Sequence, residues 1–127
     1  MRRKQRKVTT YPFIAHPYGV DVCVIVGETL GHAQDKLRKM TGVDLDFNPT
    51  AVATTYCHRN KKGERRIFMI FARSAKTRPD LMAHEAVHAV NFIYHAKGVE
   101  WDLENDEPHA YMIDQMVATI NHALKTC

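Results

Sequence analysis

The sequence predicts one small α+β domain, and three observations carry that expectation. The run VDVCVIVG at 20–27 is β-branched and almost wholly apolar, as a buried strand is. Two more strand-like runs, Ala51 to His58 and Arg65 to Ala72, flank the polar, glycine-bearing connection RNKKGE, which reads as a hairpin. Two long helical stretches then close the chain. Strands gathered ahead of helices, rather than strictly alternating with them, indicate a small twisted sheet packed on helices. A chain of 127 residues is long enough for one hydrophobic core.

Taken in order, residues 1–7 read as a basic flexible arm and 8–127 as the single domain. Residues 8–19 contain Pro12, Pro17 and Gly19 and are expected to be extended chain or loop. After the strand at 20–27, Glu28 to Met40 places Leu30, Ala33, Leu37 and Met40 at helical spacing, with Gly42 beyond the end. Asn48-Pro49 marks a turn before the hairpin. The next helix begins near Pro79, with Asp80 or Thr77 as its cap, and stops at Gly98. The last, from Glu107 to Leu124, carries Ile113, Met116, Val117, Ile120 and Leu124 on one apolar stripe and Pro108 in its first turn.

The composition, 45% hydrophobic and 25% charged, is ordinary for a soluble globular domain. Cys23, Cys57 and Cys127 are odd in number and scattered, which argues against a disulfide framework and for a reducing compartment. No apolar run approaches a membrane span, and the basic start lacks a signal-type apolar core, so the expected location is cytoplasmic. Five of the 18 basic residues, Arg2, Arg3, Lys4, Arg6 and Lys7, fall in the arm, leaving 13 basic and 14 acidic residues in the body. The arm reads as a solvated tail or as a nucleic-acid contact. The hairpin connection, with Arg59, Lys61, Lys62, Arg65 and Arg66, is a second basic region, read as a solvated tip or as a contact for phosphate or an acidic substrate.

The sharpest signal is TRPDLMAHEAVH at 77–88. His84, Glu85 and His88 form H-E-x-x-H. On a helix, positions four apart are rotated by only about 40°, so both imidazoles leave one face and can meet one tetrahedral zinc ion. Glu85 lies beside that face, placed to take the proton of an attacking water. The plainer alternative is a buried helix with two satisfied core histidines. A catalytic zinc takes three protein ligands. Asp106, Glu107 and His109, at the start of the last helix, offer the third. His95 is about 10 Å along the helix from His88, too far to share the ion. The longer pattern H-E-x-x-H-x-x-G-x-x-H fails, because Asn91 and Tyr94 stand where it needs Gly and His.

HEAVH, with Glu107-Pro108-His109-Ala110-Tyr111 beginning nineteen residues beyond His88, resembles the gluzincin arrangement of zinc peptidases. The resemblance spans roughly residues 65–124. It extends to small tailed-bacteriophage proteins classed as metallopeptidases, which share an H-E-x-x-H helix and a later D-E-P-x-A-Y segment, here Asp106 to Tyr111. It implies a minimal zincin-like domain with a C-terminal glutamate helix, one zinc per chain on His84, His88 and Glu107 (His109 as the alternative), and peptide-bond hydrolysis with Glu85 as general base. If the protein is phage-encoded, its location is the host cytoplasm. Tyr111 stands where many gluzincins have Asp, so a supporting carboxylate role passes to Asp114. Tyr94, His109 and Tyr111 are candidates to stabilise the oxyanion, with packing as the plainer role of each, and either hairpin strand can offer an edge to a peptide substrate. Two other functions compete: an inactive zinc-containing domain that binds a host or phage protein, and a nucleic-acid-binding protein using the arm and hairpin tip.

Overall fold

The computed structural model describes residues 7–126. Four strands form one sheet: β1 (Thr9–Ala15), β2 (Val20–Gly27), β3 (Ala53–Arg59) and β4 (Arg65–Ala72). Three helices, α1 (Leu30–Thr41), α2 (Pro79–Lys97) and α3 (Glu107–Lys125), pack on it. The sheet order is β1-β2-β4-β3. The two hairpins are antiparallel, and β2 pairs with β4 in parallel, so the sheet is mixed. The α+β class expected from the sequence is the class observed.

The central pair is buried on both faces, which is why its sequence runs almost continuously apolar. Val22, Val24 and Val26 of β2, with Ile67, Met69 and Phe71 of β4, face α2 and α3. Cys23, Ile25, Phe68 and Ile70 face α1 through Leu30, Ala33 and Leu37. Each such aliphatic or aromatic side chain contributes roughly 1.5–3 kcal/mol on burial.

Local chemistry sets the helix ends. Thr29 caps α1, its Oγ1 accepting the His32 N–H at 3.2 Å. The helix therefore begins at Leu30, slightly later than the periodicity placed it. Gly27 is required before it, because a Cβ there would lie 2.6 Å from the Ala33 nitrogen. Helix α2 starts at Pro79 but lacks the expected side-chain cap. Thr77 instead donates to the Ser74 carbonyl, and Asp80 forms a two-pronged ion pair with Arg78. Gly98, at φ +66°, closes α2 with its N–H on the Tyr94 carbonyl.

Of the two readings of residues 8–19, extended chain or loop, residues 9–15 take the extended one and form a strand. Tyr11 and Phe13 pack on the α2/α3 core and Ala15 is buried within it, while Pro12 and Ile14 point outward. Strand β1 is an edge strand, the place in a sheet where proline is tolerated. Helix α3 is pinned over it. Gln115 both accepts the His16 N–H and donates to the His16 carbonyl, and the Tyr11 hydroxyl meets His122 at 2.7 Å. No helix among the described residues is long and apolar enough to cross a membrane.

Candidate metal centre

Helix α2 is amphipathic across the sheet. Met82, Glu85, Ala86, Ala89, Val90, Ile93 and Tyr94 are buried, while His84, Val87, His88 and Asn91 form an exposed stripe. The two histidines leave that stripe one turn apart, and their Nε2 atoms stand 3.1 Å from each other. Two nitrogens each about 2.0–2.1 Å from a zinc ion, at a tetrahedral angle, would lie roughly 3.3 Å apart. The pair is thus within a few tenths of an ångström of ligand geometry, although the same distance also suits a direct imidazole–imidazole hydrogen bond.

Glu85, beside His84, turns inward toward the sheet edge and is 4% exposed. Its carboxylate accepts a hydrogen bond from Thr55 Oγ1 at 3.1 Å, and the same hydroxyl lies 3.4 Å from the Glu85 carbonyl. The ligand atoms of His84, Glu85 and His88 all lie within 4.8 Å of one another. They open onto a cleft of about 360 Å³, walled by Ala53, Thr54 and Thr55 of β3 and by Phe92. The donor set of two imidazoles and a nearby carboxylate suits zinc.

One side of the cleft is an unpaired strand edge. Ala72 donates to the Val52 carbonyl and Asn60 to the Glu64 carbonyl, both across directly opposed positions of the β3–β4 register. In an antiparallel ladder such bonded pairs alternate with non-bonded ones. The backbone groups of Thr54, Tyr56 and His58 therefore turn toward β4, and those of Ala53, Thr55, Cys57 and Arg59 turn outward. Of the two hairpin strands considered as a peptide edge, β4 is excluded because it is paired on both sides.

The structure does not bring the second-helix candidates into the group. Glu107 is the first residue of α3 and is exposed. His109 is buried against Trp101, their ring centroids 4.2 Å apart, while the Trp101 indole donates to Asn91. The buried face of α3 comprises His109, Met112, Met116, Ile120, Ala123 and Leu124, so His109 packs with the apolar stripe. Asp114 and Tyr111 are exposed on the same helix. Tyr94 is buried edge-on to Tyr18, and burial pushes its phenol pKa up. Burial likewise raises the Cys57 thiol pKa, and nearby Arg65 partly opposes it.

Of the basic arm, Arg2, Arg3, Lys4 and Arg6 lie outside the described residues, and Lys7 is exposed. Thr9, which follows, pairs with Val26, whereas the basic hairpin turn adjoins Arg65, at the opposite end of the sheet. The arm's root and the hairpin tip therefore do not form one surface.

Sequence reasoning missed Thr55. The usable signal was the alternation Ala53, Thr55, Cys57, which puts a lone hydroxyl on the inner face of a strand. No family model, curated protein or solved structure matches this chain.

Proposed function

We propose that the protein is a zinc-dependent hydrolase, a metallopeptidase with one zinc per chain. The 3.1 Å approach of His84 and His88, one turn apart on the exposed face of α2, carries this reading. Zinc, when bound, supplies Lewis acidity that polarises a carbonyl and makes water nucleophilic near neutral pH. Glu85 is the general base: it takes the proton of the attacking water and delivers it to the leaving amine. Thr55 holds the Glu85 carboxylate toward the cleft. The outward backbone groups of Ala53, Thr55 and Cys57 provide hydrogen bonds for an extended peptide laid beside β3. Peptide rather than another hydrolysable substrate is supported by that free edge and by the resemblance of HEAVH and the later Glu107 segment to gluzincins.

A second reading is a zinc-containing domain that holds a peptide without cutting it. The observation favouring it is that, among the described residues, the group holds two histidines and Glu85, with Glu107 and His109 outside. One experiment separates the two. Metal content and turnover of a peptide library are measured on the wild-type, His84→Ala and Glu85→Gln proteins. Stoichiometric zinc lost in His84→Ala, with turnover lost in Glu85→Gln, supports the hydrolase. Zinc and peptide binding without turnover in the wild type supports the binding domain, and full zinc in His84→Ala refutes both.

A further inference from the structure

The far end of the β3–β4 hairpin carries positive charge that takes part in no ion pair among the described residues. Arg59 stands directly opposite Arg65. Like charges opposed across strands repel. The ion pairs of the described residues are Arg38 with Asp35 and Asp44, Arg73 with Glu28, and Arg78 with Asp80. None involves Arg59, Lys61, Lys62, Arg65, Arg66 or Lys97. Arg59, Arg65 and Lys97 instead border an open cavity of about 460 Å³. Asp21 and Glu64 also line it, without closing to ion-pair distance on any of the three. On the other side of the hairpin, Arg66 lies over the Phe68 ring with its Nε buried and unpartnered, beside a smaller cavity of about 240 Å³.

This basic end lies at the end of the free β3 edge. The outward-facing groups of Ala53, Thr55, Cys57 and Arg59 lead from the histidine cleft straight to it. Arg59 lies four positions beyond Thr55, a span of about 14 Å in an extended strand. A chain laid on that edge with its reacting bond at Glu85 brings its side chains to Arg59 and Arg65 about four residues away.

Resting on the metallopeptidase reading, we propose that the ligand of this cleft is an extended acidic peptide, its carboxylates clustered about four residues to one side of the bond presented to His84, Glu85 and His88. The carboxylates neutralise the opposed arginines while the backbone adds a strand to β3. A nucleic acid matches this surface less well. The turn at 60–64 holds no aromatic residue on which a base could stack, and the edge offers peptide hydrogen-bonding groups.

The test uses the full-length protein and fluorescein-labelled twelve-residue peptides. One carries a block of three glutamates near one end, a second carries glutamines in the same places, and a labelled twelve-nucleotide oligothymidylate serves as competitor. Binding is read by anisotropy, and cleavage is mapped separately by mass spectrometry. The glutamate peptide is expected to bind about tenfold more tightly than the glutamine peptide, as expected of three or four exposed charge pairs acting together. Arg59→Glu and Arg65→Glu should each erode that preference, and Lys125→Glu, on α3, should leave it intact. Where the peptide is cut, the cut should fall about four residues from the block. Equal affinity for the two peptides overturns the proposal, as does tighter binding of the oligothymidylate that the same two variants abolish. Cleavage without acidic preference leaves the hydrolase standing and removes the acidic ligand. Acidic preference without cleavage removes the hydrolase and supports the surface.

Discussion

Thr55 Oγ1 donates to Glu85 Oε1 across 3.1 Å, joining the edge strand to the helix that carries both histidines. It is the one hydrogen bond to that buried carboxylate among the described side chains. Thr55→Val keeps the shape and removes the donor. A buried acceptor left without its partner costs about 1–3 kcal/mol, so urea unfolding should show a loss of that order. Thr55→Ser should recover most of it. A Thr55→Val protein as stable as wild type would show that water replaces the hydroxyl.

Glu85→Gln is the more discriminating change. The amide oxygen can still accept from Thr55, so the fold should hold, and both histidines remain for zinc. What disappears is the proposed base, and on the hydrolase reading turnover should fall by about 10²–10⁴-fold with metal content unchanged. An unaltered rate would assign the proton transfer to another group.

On the third ligand, the structure and the resemblance point different ways. With Glu107 exposed at the start of α3 and outside the group, Glu107→Ala is expected to retain zinc and stability. His109→Ala should also retain zinc, but it opens space beneath Trp101 and should lower the melting temperature and shift the tryptophan emission. Loss of metal in Glu107→Ala alone, read in the visible spectrum of the cobalt-substituted protein, would mean that the start of α3 closes onto the histidines.

Arg59→Glu turns a repulsive cross-strand pair into an attractive one. The gain should be roughly 0.2–1 kcal/mol in thermal unfolding at low salt, fading as salt is added. The same substitution weakens acidic-peptide binding, so stability and affinity should move in opposite directions. A fall in stability would show that Arg59 is already neutralised.

Much of the fold was legible because its signals are local. The run at 20–27, the glycine at 98 and the proline at 79 each act within a turn or two, and each stands where the sequence put it. Residues 8–19 stayed between extended chain and loop because of Pro12, whose rule holds for central strands but relaxes at an edge, and only the sheet order makes β1 an edge. The meeting of His84 and His88 follows from helical spacing alone. Thr55 lies 30 residues from Glu85 in sequence, so their contact depends on which hairpin strand ends up outermost. Glu107 illustrates the reverse: a motif supplies a residue type, whereas its distance from the histidines depends on how far α2 continues past His88 before the chain turns back.

The parallel seam between β2 and β4 also governs how the chain reaches this state. Each hairpin closes a short turn, but joining the two must close everything from Glu28 to Glu64, including α1 and β3. Loop-closure entropy rises with that length, and pairing of distant segments slows folding. Thr55, His84, Glu85 and His88 all lie on the stretch from β3 to α2, on one side of the seam. A substitution along the seam, such as Met69→Ala facing Val24, is thus expected to act on the refolding rate as well as on stability. The geometry of the histidine cleft is written into the chain between residues 55 and 88, and the remainder of the sheet decides how fast it is assembled.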